Sequence, residues 1–184
     1  MEQDIGRVLL AEQAIQKRVD QLAKDIAASY PENKDGIVIV CILAGSIVFL
    51  ADLIRRLPMK MRLGLVTVTS YPGEATTSRG PVLTTAALGE IKGRDVLIVD
   101  DILDSGGTLR LTQSKAREAG ANSVKTAVLL RKITKAPRDV IADFVGFDIE
   151  DEFVVGYGLD YDGLYRNLPY VAVLKRHLQG AATV

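Results

Sequence analysis

Two adjacent carboxylates, Asp100 and Asp101, are followed at once by Asp104-Ser105-Gly106-Gly107-Thr108. Residues of these types at this spacing describe two kinds of chemistry side by side. The paired glycines let backbone N–H groups converge on an anion, and Ser105 and Thr108 add hydroxyl donors. The start of a following helix directs its positive dipole end at the same point. Asp100 and Asp101 ask for the opposite partner. They would repel a phosphate, so they must face sugar hydroxyls, a metal ion or a proton in transfer. One loop that holds an anion and a polyol together fits a phosphorylated sugar. Read alone, Asp-Ser-Gly-Gly before a helix is also an ordinary turn and N-cap. An acid pair at a strand end also binds Mg²⁺ in receiver domains.

The elements on either side give these residues a fixed place. Val96-Leu97-Ile98-Val99 is uniformly apolar and reads as a strand buried on both faces of a parallel sheet, with the acids at its end. A helix runs from the glycines through Leu111, Thr112 and Ala116 to a stop at Gly120. Ile37–Leu43 is a second apolar strand, and Val124–Leu130 is the next, ending near Lys132. Between Ile37–Leu43 and the helix Ile47–Arg56, the small-residue turn Leu43-Ala44-Gly45-Ser46 offers another anion-binding geometry. The first element is expected to be a helix over Glu12–Ser29, because Ile15, Val19, Leu22 and Ile26 recur at helical spacing. Leu63–Thr69 reads as a strand leading into Ser70-Tyr71. The Thr-, Ser-, Gly- and Ala-rich stretch from there to Gly93, weakly periodic around Val82–Leu88, reads as a mobile flap or two-stranded ribbon. Phe144–Phe147, Phe153–Val155 and Tyr170–Leu174 follow as short strands.

Composition bounds the function. With 184 residues, 48% of them hydrophobic, the chain suffices for one domain, 1–184, with a two-sided core. Lys plus Arg and Asp plus Glu balance at 23 each, which argues against nucleic acid or an anionic membrane as partner. The lone Cys41 sits in an apolar strand and reads as a core residue in a reducing compartment. No basic leader or membrane-length apolar run is present, so a cytoplasmic protein is expected. The lone His177 reads as a surface residue.

The string VLIVDDILDSGGTL resembles the 5-phosphoribosyl-1-diphosphate (PRPP) motif of type I phosphoribosyltransferases. Further strings, LLRKITKAP and ADFVGFDIEDEFVVGYGLDYDGLYRNLPYV, resemble the purine-recognising end of the hypoxanthine-guanine members, and Ser70-Tyr71 matches the start of their flexible loop. The resemblance implies a central, mostly parallel sheet flanked by helices, with a flap and a small base-binding hood. It implies transfer of the phosphoribosyl group from PRPP to a 6-oxopurine, with Mg²⁺, in a homodimer or homotetramer. By the same resemblance Ser105, Gly106, Gly107 and Thr108 would hold the 5′-phosphate, and Asp100 and Asp101 the ribose hydroxyls. Asp104 would act as general base at purine N7, and Lys132 would donate to O6 and reject 6-amino purines. Ile102 and Phe153 would sandwich the base while the Val154 backbone reads its 2-position edge. Asp160, together with Asp100 and Asp101, would hold Mg²⁺. Arg166, Ala44, Gly45, Ser70 and Tyr71 would complete the PRPP site.

One position departs from the family pattern. Ala44 stands where its members commonly carry lysine facing diphosphate, which implies weaker PRPP binding. A non-catalytic PRPP-sensing regulator is the alternative. Asp104 discriminates between the two, since a sensor needs no base aimed at N7.

Overall fold

Strand and helix order in the computed structural model follows from how each apolar run divides its side chains. The structure describes residues 1–31, 35–69, 82–85 and 91–178. Strands β2 (Ile37–Leu43), β3 (Met61–Thr69), β5 (Asp95–Leu103), β6 (Ser123–Lys132) and β7 (Phe144–Ile149) are parallel, and β4 (Val82–Thr85) adds antiparallel to the β3 edge. The order across this sheet is β4-β3-β2-β5-β6-β7. Alternation sends Ile37, Ile39, Cys41, Leu97, Val99, Ala127 and Leu129 to one face. There they meet helices α1 (Glu12–Ala28) and α2 (Ile47–Ile54) through Ile15, Val19, Leu22, Phe49 and Leu53. Val38, Val40, Val96, Ile98 and Val128 go to the other face, against Leu109 and Ala116 of α3 (Gly107–Glu118). The stretches Ile37–Leu43, Val96–Val99 and Ala127–Leu130 are apolar throughout because both of their faces are covered.

A second sheet, ordered β1-β9-β8, caps one end. It joins β1 (Ile5–Leu10), β9 (Val171–Leu174) and β8 (Val154–Val155) antiparallel. The expected helix over Glu12–Ser29 is present as α1, but a strand, β1, precedes it where the sequence reading places no element. Ile5–Leu10 pairs with Val171–Leu174 from the far end of the chain, a contact with no local signature. A second correction concerns β5, which continues past Val99 to Leu103, with Asp100 opposite Val128 and Ile102 opposite Leu130. Backbone pairing with β6 carries the strand through the carboxylates despite their polarity. The segment around Val82–Thr85 is a ribbon strand as expected, whereas the rest of the anticipated flap to residue 90, Ser70 and Tyr71 included, lies outside the described residues. Among the described residues no helix is long and apolar enough to cross a membrane.

The sheet order has one consequence for function. From β2 the chain moves outward to β3, while from β5 it moves the other way to β6 and β7, so β2 and β5 are neighbours at a reversal point. Ligands of open α/β sheets bind at the C-terminal strand ends of such a point. The strand ends concerned are Leu43 and Leu103.

Candidate active site

A cavity of about 270 Å³ opens between those two strand ends, lined by Ile42, Leu43, Gly45 and residues 100–109. A larger one, about 910 Å³, lies at the opposite ends of the strands beside Tyr30, Lys92, Asp95 and Lys125. Size does not decide between them. At the larger cavity Lys125 is committed to the Ser29 carbonyl at 2.9 Å and to the Tyr30 ring, and the phosphate-type loop belongs to the smaller.

The loop after β5 has the form its composition implies. Gly106 takes φ +74° as the N-cap of α3, and a Cβ there would sit 2.8 Å from Pro137 Cγ. Gly107 faces open space, so an incoming group can approach the backbone closely. No side chain caps the helix N-terminus, which leaves its N–H groups aimed into the cavity for an anion. Ser105 is exposed and Thr108 half-buried at the same turn.

Asp100 is buried and Asp101 half-buried beside it. The Asp101 N–H donates to Asp100 Oδ1 at 3.0 Å, and the Ile102 N–H donates to Asp101 Oδ1 at 2.8 Å. Desolvation, reinforced by the Asp101 charge, raises the Asp100 pKa well above the carboxylate range. Desolvation also raises Asp101, against the pull of its hydrogen bonds and the Arg166 charge. Two adjacent carboxyls in this state are matched to hydroxyl donors or a cation.

Gly45 explains how Asp101 is accommodated. A Cβ on Gly45 would lie 1.6 Å from Asp101 Oδ2, so any other residue there would displace the Asp101 carboxyl. On its other side Gly158, at φ +102°, comes so close that a Cβ would stand 2.1 Å from the Gly45 carbonyl oxygen. Ala44 is exposed and joined to Leu43 by a cis peptide bond, and unlike Gly45 it does not line the cavity.

Arg166, Asp160, Phe153 and Val154 belong to the hood side and are not among the residues that line this cavity. Arg166 donates to the Gly158 carbonyl at 2.7 Å and pairs with Asp160 Oδ1 at 2.8 Å. The second Asp160 oxygen accepts the Gly163 N–H at 2.8 Å. Phe153 is 40% exposed and meets the Tyr161 ring edge-on, with centroids 5.4 Å apart. Val154 is buried in β8 opposite Val173, and Ile102 is half-buried against the core.

Asp104 and Lys132 meet at 3.2 Å although they come from different strand ends. The Lys132 side chain is only 9% exposed, and its ammonium also donates to Asp151 at 2.7 Å. That contact holds the Asp151 carboxyl below its ordinary range. Lys135 adds a second cation, 3.0 Å from Asp104 Oδ1 and 3.3 Å from Oδ2. Asp104 Oδ1 is nonetheless a buried acceptor without a hydrogen bond, because the Lys135 ammonium is badly aligned with it.

Asp151, Lys135, Tyr161 and Gly158 were not among the residues singled out by sequence. Asp151 and Lys135 lie in polar turns, and the convergence of the β6 and β7 ends on Asp104 is what brings them there. Among the described residues no three Asp, Glu, His or Cys side chains come together as a metal cage. A cation fits here only in the manner of Mg²⁺, which commonly takes one or two carboxylates and completes its shell with water and substrate phosphate oxygens. Asp160 and the desolvated pair Asp100 and Asp101 are donors of that kind.

Residues 8–162 match the phosphoribosyl transferase domain family. The hypoxanthine-guanine phosphoribosyltransferase of Bacillus subtilis is 42% identical over 176 residues, which cover 95% of this chain and 96% of that protein. A crystal structure of a hypoxanthine phosphoribosyltransferase from Staphylococcus aureus superposes with a TM-score of 0.86 at 39% identity, covering 97% of this chain and 96% of the other. The hypoxanthine phosphoribosyltransferase of Trypanosoma cruzi superposes at 0.87 with 33% identity, covering 95% and 94%.

Proposed function

This chain belongs to the phosphoribosyl transferase domain family, and from that premise we propose that it is a purine salvage enzyme converting a 6-oxopurine and PRPP to nucleoside 5′-monophosphate and diphosphate. The observation that carries the reading is the Asp104 carboxyl, whose buried Oδ1 accepts no hydrogen bond while its Oδ2 lies 3.2 Å from the Lys132 ammonium. Purine N7 and O6 lie on one edge of the base. A carboxylate and an ammonium 3.2 Å apart offer that edge an acceptor for N7–H and a donor for O6. A 6-amino purine would set its own N–H groups against Lys132, which cannot accept, so adenine is rejected.

In the transfer the bond from ribose C1 to diphosphate breaks and the bond from C1 to the base nitrogen forms, while the N7 proton passes to Asp104. Ser105 to Thr108 hold the 5′-phosphate, and Asp100 and Asp101 take the ribose hydroxyls. Their negative charge favours positive character at the adjacent carbon. Ile102 and Phe153 cover the base faces, and Phe153 is open enough to receive a ring. Asp160, with Asp100 and Asp101, would hold Mg²⁺, which when bound neutralises the diphosphate. Arg166, now paired with Asp160, is released toward the same oxygens. The Gly45 turn supplies backbone donors, with Ala44 at its rim, and Ser70 and Tyr71 begin the segment that excludes water. The same reading makes the protein cytoplasmic and homodimeric or homotetrameric. A sensing regulator would have no use for the Asp104 and Lys132 pair.

The test is incubation with PRPP, Mg²⁺ and hypoxanthine, guanine, xanthine or adenine separately, following nucleotide formation. Product with at least one 6-oxopurine and none with adenine is expected. Absence of product with every base refutes the enzymatic reading. In the Asp104→Asn variant, kcat should fall roughly 10²- to 10³-fold while PRPP affinity stays within about twofold.

A further inference from the structure

Around Asp104 the charges alternate. Lys132 lies 3.2 Å from Asp104 and 2.7 Å from Asp151, while Lys135 lies 3.0 Å from Asp104 and 3.9 Å from Asp151. Two carboxylates and two ammonium groups close into one neutral ring. The two lysines are not equivalent within it. Lys132 is buried and held by Asp151, whereas Lys135 has 47% of its side chain exposed and the freedom of a long stem.

The Lys135 backbone, by contrast, is fixed against the phosphate loop. Its N–H and that of Ala136 both donate to the Lys132 carbonyl, at 3.2 and 2.8 Å. Pro137 and Val140 pack so closely on Gly106 that a Cβ there would meet them at 2.8 and 3.0 Å. The Lys135 side chain thus springs from a fixed backbone near Asp104, whose chain neighbour Ser105 begins the phosphate loop.

We propose that Lys135 is a further ligand of the substrate's 5′-phosphate, parked on Asp104 in the free protein, and that its transfer to the phosphate unmasks the base for the purine. This role rests on the phosphoribosyl-transfer reading and adds a residue that reading did not use. A phosphate monoester brings about −1.5 to −2 charges at neutral pH, whereas a helix N-terminus supplies the equivalent of about +0.5. Because the Asp104 ring is already neutral, the loop lacks a cation. Lys135 is the member able to supply one, because Lys132 must remain for O6. Ordering follows from the same transfer. Until phosphate arrives, both Asp104 oxygens face ammonium groups, and a purine must compete with Lys135 for the acceptor it needs.

Equilibrium binding of ribose 5-phosphate, which lacks the diphosphate, isolates the contact. The Lys135→Met variant, which keeps the stem length, should bind it about tenfold more weakly than wild type, and Lys135→Arg should stay within about threefold. Hypoxanthine, titrated without any phosphate ligand, should bind Lys135→Met several-fold more tightly than wild type. Wild-type affinity of Lys135→Met for ribose 5-phosphate overturns the phosphate role, and unchanged hypoxanthine affinity overturns the masking. Neither titration requires turnover, so a failure of nucleotide synthesis counts against the enzymatic reading, while the role of Lys135 is decided by the two titrations.

Discussion

Replacing Asp100 by asparagine should make the ligand-free protein more stable while disabling it. The Asp100 side chain is buried next to another carboxyl, and desolvation together with the Asp101 charge raises its pKa well above the usual range. The folded state therefore holds that proton more tightly than the unfolded chain. Stability contributed by Asp100 is present below its unfolded pKa, near about 4, and is lost as pH rises through the folded value. Asparagine keeps the oxygen that accepts the Asp101 N–H at 3.0 Å and replaces a repelling oxygen with a donor facing Asp101. Two unit charges about 4 Å apart repel by about 4 kcal/mol at an effective dielectric of 20. Arg166 offsets part of the Asp101 charge, so a gain of about 1–3 kcal/mol at pH 7.5 is expected. For a chain of this size that corresponds to a rise in Tm of roughly 3–9 °C. Differential scanning calorimetry of both proteins from pH 4 to pH 8 checks it. The gap should be smallest at acid pH and widen as pH rises, while kcat/KM falls by about 10²-fold. A variant less stable than wild type at pH 7.5, or a gap that does not change with pH, refutes the reasoning.

Two further substitutions test the diphosphate side of the site. Ala44→Lys restores a cation at the exposed rim of the Gly45 turn and should lower the KM for PRPP about three- to tenfold with little change in kcat; an unchanged or higher KM in steady-state kinetics counts against it. Tyr157 donates to Asp52 Oδ2 at 2.6 Å and so ties the hood loop to α2, next to the Gly45 turn. Tyr157→Phe should raise the KM for PRPP several-fold and leave that for the purine within about twofold, and equal changes in both would assign the bond to general stability.

How much of this was legible in the chain depends on the range of the forces involved. The apolar runs of β2, β5 and β6 were readable because burial on both faces requires near-continuous hydrophobicity, and the phosphate loop was readable because glycine at φ +74° and an uncapped helix start are local demands. Ile5–Leu10 was not. It is a short strand with Val8 51% exposed, and what makes it a strand is Val171–Leu174 at the other end of the chain. Asp100 and Asp101 were expected just beyond a strand and lie within it, since side-chain polarity says nothing about the β6 backbone that carries β5 to Leu103. The resemblance brought Asp104 and Lys132 to one site. Lys135 and Asp151 lay in polar turns whose convergence depends on how β6 and β7 end.

The site concentrates unfavourable terms where ligand groups can relieve them. Gly45 is wedged between the Asp101 carboxyl and Gly158, with Arg166 holding the Gly158 carbonyl and damping the Asp101 charge. Tyr157, the residue before Gly158, keeps a left-handed backbone at φ +51° and is buried, secured by Asp52. Such a conformation persists only when its surroundings overdetermine it. Here the surroundings are the α1 and α2 core on one side and the three-stranded hood on the other. Their rigidity lets two carboxyls stay adjacent and poorly solvated in the free protein, so that, on the proposed function, hydroxyls or a cation arriving with the substrate would meet partners already in place. Preorganisation of this kind costs stability before binding and strengthens the contacts made to a developing charge. The sheet reversal between β2 and β5 is what brings the two strand ends close enough for one glycine to separate them.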